Sequence, residues 1–123
     1  MKDLLCPAYD AIQILQEKWV LLIVRSLLDG SKGFNELGRE IGGCNPTTLA
    51  QRLDRLEQLG LVSKKVEAIM PPKSSYSLTD SGRGLQCVVE AIHVWAVTYL
   101  PDRPLVKGQL LEEQVSEKVA VAS

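Results

Sequence analysis

FNELGREIGGCNPTTLAQRLDRLEQLGLVSKKVE, residues 34–67, carries two short helical patterns around a Gly-rich turn, the second running straight into a basic strand. Asn35 is placed to cap a first helix over residues 36–41, and Gly42-Gly43 ends it. Asn45 can offer its side-chain oxygen to the unpaired amides of the next helix, and Pro46 suits that helix's first turn. Leu49, Leu53 and Leu56 recur at helical spacing and define one buried face, while Gly60 suits a left-handed stop. The opposite face carries Thr47, Gln51, Asp54, Arg55 and Gln58. Short helix, turn, and second helix with a polar, Arg-bearing face is the layout of a helix-turn-helix that reads the major groove.

On the carboxyl side, residues 61–66 (LVSKKV) read as a strand and residues 75–78 (SYSL) as its antiparallel partner. Residues 68–74 (AIMPPKS) are expected to protrude as a loop with a basic tip at Lys73, because Pro71 and Pro72 cannot donate to a ladder. A hairpin with a basic loop beside a helix-turn-helix is a winged helix. Lys64, Lys65 and Lys73 alone fit a solvated edge equally well; beside a reading helix they fit phosphate contact.

On the amino side, residues 7–15 (PAYDAIQIL) form a first helix with Ala8, Ile12 and Leu15 on one side. Residues 19–28 (WVLLIVRSLL) are nearly all apolar and stop at Asp29-Gly30, which suits a central core helix. Thr79 is placed to cap a last helix running through Gly82 to about Leu100, where Pro101 stops it. Leu85, Val88, Val89, Ile92, Trp95, Ala96 and Tyr99 make an apolar stripe of roughly 21 Å along it. A small winged helix cannot easily cover so much apolar surface. The stripe therefore reads as a dimer interface, shared with the first helix.

The fold class that results is mainly α with a small antiparallel β-hairpin, a winged helix-turn-helix dimerising through its terminal helices. Residues 1–100 form the DNA-binding domain with dimerisation helices at about 7–15 and 80–100. Residues 101–123 are a tail that either adds a helix or stays loose.

Composition agrees with this class. With 123 residues, 46% apolar and 24% charged, the chain suits one globular domain. No apolar run reaches the roughly 18 residues of a membrane span. The start MKDLLCPAYD is a poor signal peptide, and three cysteines without metal-like spacing fit a reducing cytoplasm. Net charge is −1, but residues 31–83 hold eight basic against six acidic side chains, a net of +2 that leaves −3 elsewhere. So few phosphate contacts per subunit predict that specific binding needs two subunits.

Other classes fare worse. The single histidine, His93, lies among apolar residues of the last helix, and Cys87, six residues away, falls nearly on the opposite face. With no phosphate loop, paired-carboxylate motif or zinc spacing, the sequence offers no catalytic or metal site, and no cofactor is expected. A winged helix used only for protein–protein contact would lack the reading face that Gln51, Arg55 and Lys73 provide.

The chain resembles the HxlR-type bacterial transcription regulators, dimeric winged-helix proteins related in architecture to the MarR group. The resemblance covers about residues 6–95. Its carriers are Cys6-Pro7, Lys18-Trp19, Phe34-Asn35-Glu36-Leu37, Thr48-Leu49, Arg52-Leu53, Leu56-Glu57 with Gly60-Leu61-Val62, Pro71-Pro72, and Tyr76-Ser77-Leu78-Thr79 with Gly82. Two features depart from the family pattern. Gln16-Glu17 precedes Lys18-Trp19 where small residues are usual, and Cys44 sits in the turn before the reading helix.

The resemblance implies a homodimer on a pseudo-palindromic operator in double-stranded DNA, with half-sites on the order of 34 Å apart. Repression is the expected outcome, because a small dimer without a second domain would cover a promoter. Thr47, Thr48 and Gln51 are then assigned to base edges or nearby phosphates, and Arg55 to a guanine edge or a phosphate. Arg52 goes to the backbone, and Lys65, Lys73 and Ser74 hold the wing to phosphates. The resemblance also implies redox sensing through Cys6, which at a helix N-terminus would see a field that favours thiolate. A second means of control is a small apolar ligand at the dimer interface near Trp95 and Tyr99. Cys44 has a regulatory or an incidental role in its turn, and Cys87 reads as packing.

Overall fold

The computed structural model describes residues 6–100. They fall into two compact units, one ending at Arg83 and one beginning at Gly84. The expectations for the tail lie outside the described residues.

In the first unit, α1 (Pro7–Leu15) is followed by a tight turn and α2 (Val20–Leu27), then β1 (Lys32–Gly33), α3 (Phe34–Ile41), α4 (Pro46–Gln58), β2 (Val62–Ile69), β3 (Pro72–Leu78) and the four-residue α5 (Asp80–Arg83). The apolar run at 19–28 is the core helix its composition predicts: Val20, Ile23, Val24 and Leu27 are all buried. Leu37 of α3 and Leu49, Leu53 and Leu56 of α4 pack into the same core, closed by Val62, Tyr76 and Leu78 from the sheet. Burying each such side chain is worth about 1.5–3 kcal/mol. α1 contributes no buried residue.

Both ends of α4 are closed as its sequence predicts. Asn45 Oδ1 accepts the amides of Thr47 at 2.7 Å and Thr48 at 3.3 Å. At the other end Gly60 has φ +79°, Leu61 N donates to Leu56 O at 2.9 Å, and Gly60 N donates to Glu57 O at 3.0 Å. That pair of bonds is a Schellman stop, and it turns the chain directly into β2. The cap of α3 differs from expectation. It is Gly33 rather than Asn35, because pairing of β1 leaves Gly33 extended at the helix entrance, where its amide donates to Glu36 at 3.4 Å.

Two further expectations are corrected. The sheet has three strands in the order β1-β3-β2, with Lys32 opposite Tyr76. The ladder between β2 and β3 runs on to Ile69 and Pro72, passing a bulge at Glu67. Only Met70-Pro71 turns, and that peptide is cis. Pro72 takes the first position of its strand, where a missing amide is tolerated. Lys73 consequently sits in the ladder opposite Ala68, and the tip is apolar, with Ile69 and Met70 80% and 86% exposed.

The expected helix at 80–100 is likewise two helices. Thr79 does cap a helix, its hydroxyl accepting Gly82 N at 3.1 Å, but that helix is α5 and ends at Arg83. Gly84, a weak helix former, and Leu85 make a turn before α6 (Gln86–Tyr99). At about 1.5 Å per residue α6 spans roughly 21 Å, shorter than a helix over 80–100 but enough to carry the stripe. None of its residues is buried.

A knot of polar contacts joins the end of α4 to the start of α5. The hydroxyls of Thr79 and Ser81 both donate to Gly60 O, at 2.6 and 3.0 Å, and Thr79 N donates to Leu61 O at 3.0 Å. Gly82 is buried against this turn, so closely that an added Cβ would lie 2.2 Å from Leu61 O and 3.0 Å from a Leu78 methyl. A backbone oxygen cannot step aside. Gly82→Ala is expected to cost about 2–3 kcal/mol through overpacking, read as a lower urea midpoint, whereas Gly33→Ala, whose Cβ would meet Ser74 O at 3.6 Å, meets no such clash.

Lys32 is the other surprise of the interior. It is buried, and its ammonium donates to Ser26 O at 2.7 Å, lies 3.2 Å from Glu40 and 3.6 Å from Asp29, and so is spent on the fold. Ser26 Oγ donates to Glu40 at 2.5 Å. That hydroxyl first, and Lys32 second, hold the Glu40 carboxyl below the ordinary carboxylate range. A carboxyl with a lowered pKa stabilises the fold fully above its unfolded value and loses that contribution as pH falls through the folded one. Urea midpoints of the parent and Glu40→Gln should therefore differ at neutral pH and converge as pH falls through and below the ordinary carboxylate range.

Candidate nucleic-acid interface

The surface that could meet a duplex is built from the outward side of α4 and the two wing strands. Thr47, Gln51, Asp54, Arg55 and Gln58 are exposed along α4, and Thr48 is half-buried beside the Asn45 cap. This placement follows from the leucine face. With Leu49, Leu53 and Leu56 turned inward, residues two positions away must face out. Lys64 and Lys65 are exposed on β2, and Lys73 on β3 beside the half-buried Ser74. Ser74 pairs with Val66, and Ser75 with Lys65, so the cationic side chains stand on a paired ladder rather than on a loop. Lys64 Nζ lies 6.0 Å from the Tyr76 ring centroid.

The amides at the start of α4 have partners already. Asn45 takes those of Thr47 and Thr48, so the hydroxyls, not the amides, of these two residues are the groups left to meet DNA. Arg52 and Arg55 are both held by the turn between α1 and α2. Arg52 Nε donates to Lys18 O at 2.9 Å. Arg55 Nη2 donates to Glu17 Oε2 at 2.9 Å, and its Nε lies 3.2 and 3.3 Å from the two Glu17 oxygens. The Arg55 guanidinium beside Glu17 lowers that carboxyl from its usual value, and Glu17 in turn raises Arg55.

Glu17 and Lys18 are the residues that sequence reading did not place at this surface. Gln16-Glu17 stands out as a departure from the family pattern, yet nothing in its spacing links it to a helix 38 residues later. The turn itself is unusual. Trp19 has φ +78°, a left-handed conformation that is rare for a bulky side chain, and its ring reaches to 4.0 Å from where a Cβ on Gly43 would be. Lys18 Nζ lies 5.1 Å from the Trp19 ring centroid.

The cysteines are all free thiols. Cys6 is half-buried at the entrance of α1, where its carbonyl, not its thiol, accepts Tyr9 N at 3.1 Å and Asp10 N at 3.4 Å. Cys44 is half-buried beside Phe34, Gly38 and Leu49 in a groove between α3 and α4. Burial pushes its thiol up in pKa, against the opposing pull of Arg52 and Lys18, and a raised thiol is a poor nucleophile. Cys87, read as a packing residue, is exposed on α6, its thiol donating to Gly84 O at 3.4 Å. Among the described residues no cluster could hold a metal ion, and no helix is long and apolar enough to cross a membrane. On α6, Ile92, Val94, Trp95 and Tyr99 are exposed by 47–69%, with the Trp95 and Tyr99 rings 6.0 Å apart.

Residues 14–104 match the model of the HxlR-like helix-turn-helix family. The uncharacterized HTH-type transcriptional regulator YvaP of Bacillus subtilis strain 168 is 36% identical over 97 residues, 78% of this chain and 90% of that protein. A transcriptional regulator of the MarR family from Porphyromonas gingivalis W83 has a TM-score of 0.76 at 31% identity, covering 81% of this chain and 98% of that one. The reduced form of the regulator YodB from B. subtilis has a TM-score of 0.68 at 35% identity, covering 79% and 96%. The redox regulator HypR in its oxidised form scores 0.71 at 31% identity, covering 79% and 100%. YodB is also known in diamide-treated and quinone-bound structures similar to this chain. Matched through most of its length by that family model, and more than a third identical to YvaP over most of both proteins, this chain belongs to the HxlR-like helix-turn-helix family of transcriptional regulators.

Proposed function

We propose that the protein is a homodimeric repressor that places α4 of each subunit in successive major grooves of a pseudo-palindromic operator. One observation carries this reading: α4 is closed at both ends and anchored by three buried leucines, so its polar face is rigid and turned outward. Thr47, Thr48, Gln51 and Arg55 then address base edges or nearby phosphates. Arg52, tied to Lys18 O, lies beside the backbone, and Lys65, Lys73 and Ser74 hold the wing to phosphates. Two subunits are needed because each one supplies few phosphate-facing cations, and burial of Lys32 makes them fewer still.

The dimer contact is assigned to α6 through Leu85, Val88, Val89, Ile92, Trp95, Ala96 and Tyr99. Within one chain none of the α6 residues is buried, and Trp95 and Tyr99 are 55% and 69% exposed. In the other unit, α1 leaves Ile12 61% exposed, and we assign α1 its own contact with the second subunit. A surface this apolar on a small protein is the signature of an interface. We further assign control of DNA binding to oxidation of Cys6, by disulfide formation or by capping with a small thiol. Its support is the position of Cys6 at the entrance of an interface helix, and similarity to regulators known in oxidised, diamide-treated and quinone-bound forms. The cytoplasm, where DNA and reduced thiols coexist, is the compartment this requires.

Selection of bound duplexes from a random pool with reduced protein tests the reading, and repeating it after mild diamide treatment tests the control. A palindromic consensus lost on oxidation, with the loss abolished in Cys6→Ser, is expected; an oxidant response that persists in Cys6→Ser removes the sensor. On the selected duplex, Gln51→Ala should relax preference at one position per half-site by about 1–3 kcal/mol. Lys73→Ala should instead weaken all duplexes alike and reduce the salt slope by about 1 per subunit. Sedimentation should give a dimer that Trp95→Glu converts to a monomer; a monomeric parent at working concentration defeats the assignment.

A further inference from the structure

Arg55 and Glu17 make the one contact on the outward face of α4 in which a reading-helix side chain is charge-neutralised by another part of the chain, among the described residues. The pair is partly exposed, Arg55 44% and Glu17 27%. An exposed ion pair of this kind contributes little to folding stability. Its geometry is more telling than its energy. A guanidinium has two usable edges, one formed by Nε and Nη2 and the other by Nη1 and Nη2. Glu17 occupies the first edge, with contacts of 2.9, 3.2 and 3.3 Å. The second edge, which presents the parallel donors that match O6 and N7 of a guanine, is not bound by Glu17.

The carboxylate is itself held in place. It projects from the turn whose next residue, Lys18, accepts Arg52 Nε through its carbonyl, and whose following residue, Trp19, is in the left-handed conformation. Two arginines one turn apart on α4 thus dock on consecutive residues of a single tight turn. Such a clamp limits the directions the Arg55 plane can take.

We infer, on the reading of α4 as the groove helix, that Glu17 is a positioning residue that sets base specificity through Arg55. By holding the Nε edge it aims the outer edge at a guanine and cancels a charge that would otherwise reach for any phosphate. An unrestrained arginine on this face reads indiscriminately; a restrained one must find its base.

The test uses the full-length dimer, the duplex that the parent selects from a random pool, and a random-sequence duplex of equal length, each titrated over a salt series. Glu17→Gln keeps the size of the side chain and removes the charge; its circular dichroism and urea midpoint check folding. The inference expects the ratio of selected to random affinity to fall about tenfold, the order of one bidentate base contact. Affinity for the random duplex should rise, and its salt slope should steepen by about 1 per subunit. Repeating the selection with Glu17→Gln should blur one G·C position per half-site and leave the others sharp. In an Arg55→Ala background, Glu17→Gln should leave the ratio unchanged.

Equal gains on both duplexes with an unchanged ratio would mean that Glu17 only repels or latches, and would overturn the inference while leaving the groove reading intact. The same fall in ratio without Arg55 would show that Glu17 acts by another route. If the parent selects no sequence at all, the groove reading itself fails, and this inference with it.

Discussion

Everything that gives this protein a readable surface depends on the seating of three leucines. Leu49, Leu53 and Leu56 lock one side of α4 into the core it shares with α2, α3 and the sheet, and that leaves the other side no freedom to rotate. Helical geometry does the rest, since a residue's face is settled once its neighbours at three and four positions are buried. Asn45 and Gly60 make the same statement at the ends. They satisfy amides and carbonyls that would otherwise fray, so a helix of 13 residues behaves as a rigid strut instead of a marginal one.

How far the sequence reveals this structure depends on whether the deciding interaction is local. The capping of α4, its leucine periodicity, its left-handed stop and the apolar run of α2 are all settled within one or two helical turns, and each is legible from the residues. The errors fall where distant chain segments decide. Gly33 displaces Asn35 as the cap of α3 because β1 pairs with a strand more than 40 residues later. Two prolines suggest a long loop, yet the ladder tolerates Pro72 as its first residue and pulls Lys73 off the tip. Gly84 breaks a pattern that apolar spacing alone carries straight through.

Charge shows the same limit at the candidate interface. Counting side chains along residues 31–83 treats Lys32 and Arg55 alike as available cations. The fold uses the first internally, against Glu40 and Ser26 O, and pairs the second with Glu17. Neither pairing has a sequence signature, since the partners of Arg55 lie 38 residues away in a turn with no periodicity. The outward placement of Thr47 and Gln51 is nevertheless readable, because the leucine periodicity of α4 determines it.

Gly82 gives the architecture its narrowest tolerance. Its bare α-carbon lets the carbonyl of Leu61 press against it, while Thr79 and Ser81 fasten the neighbouring Gly60 oxygen. The chain thereby meets itself at one point, where the wing's root, the close of α4 and the entrance of α5 converge. The wing's length and surface can vary without touching this junction, whereas any side chain placed at Gly82 has to displace the Leu61 backbone and, with it, the seam between helix and sheet.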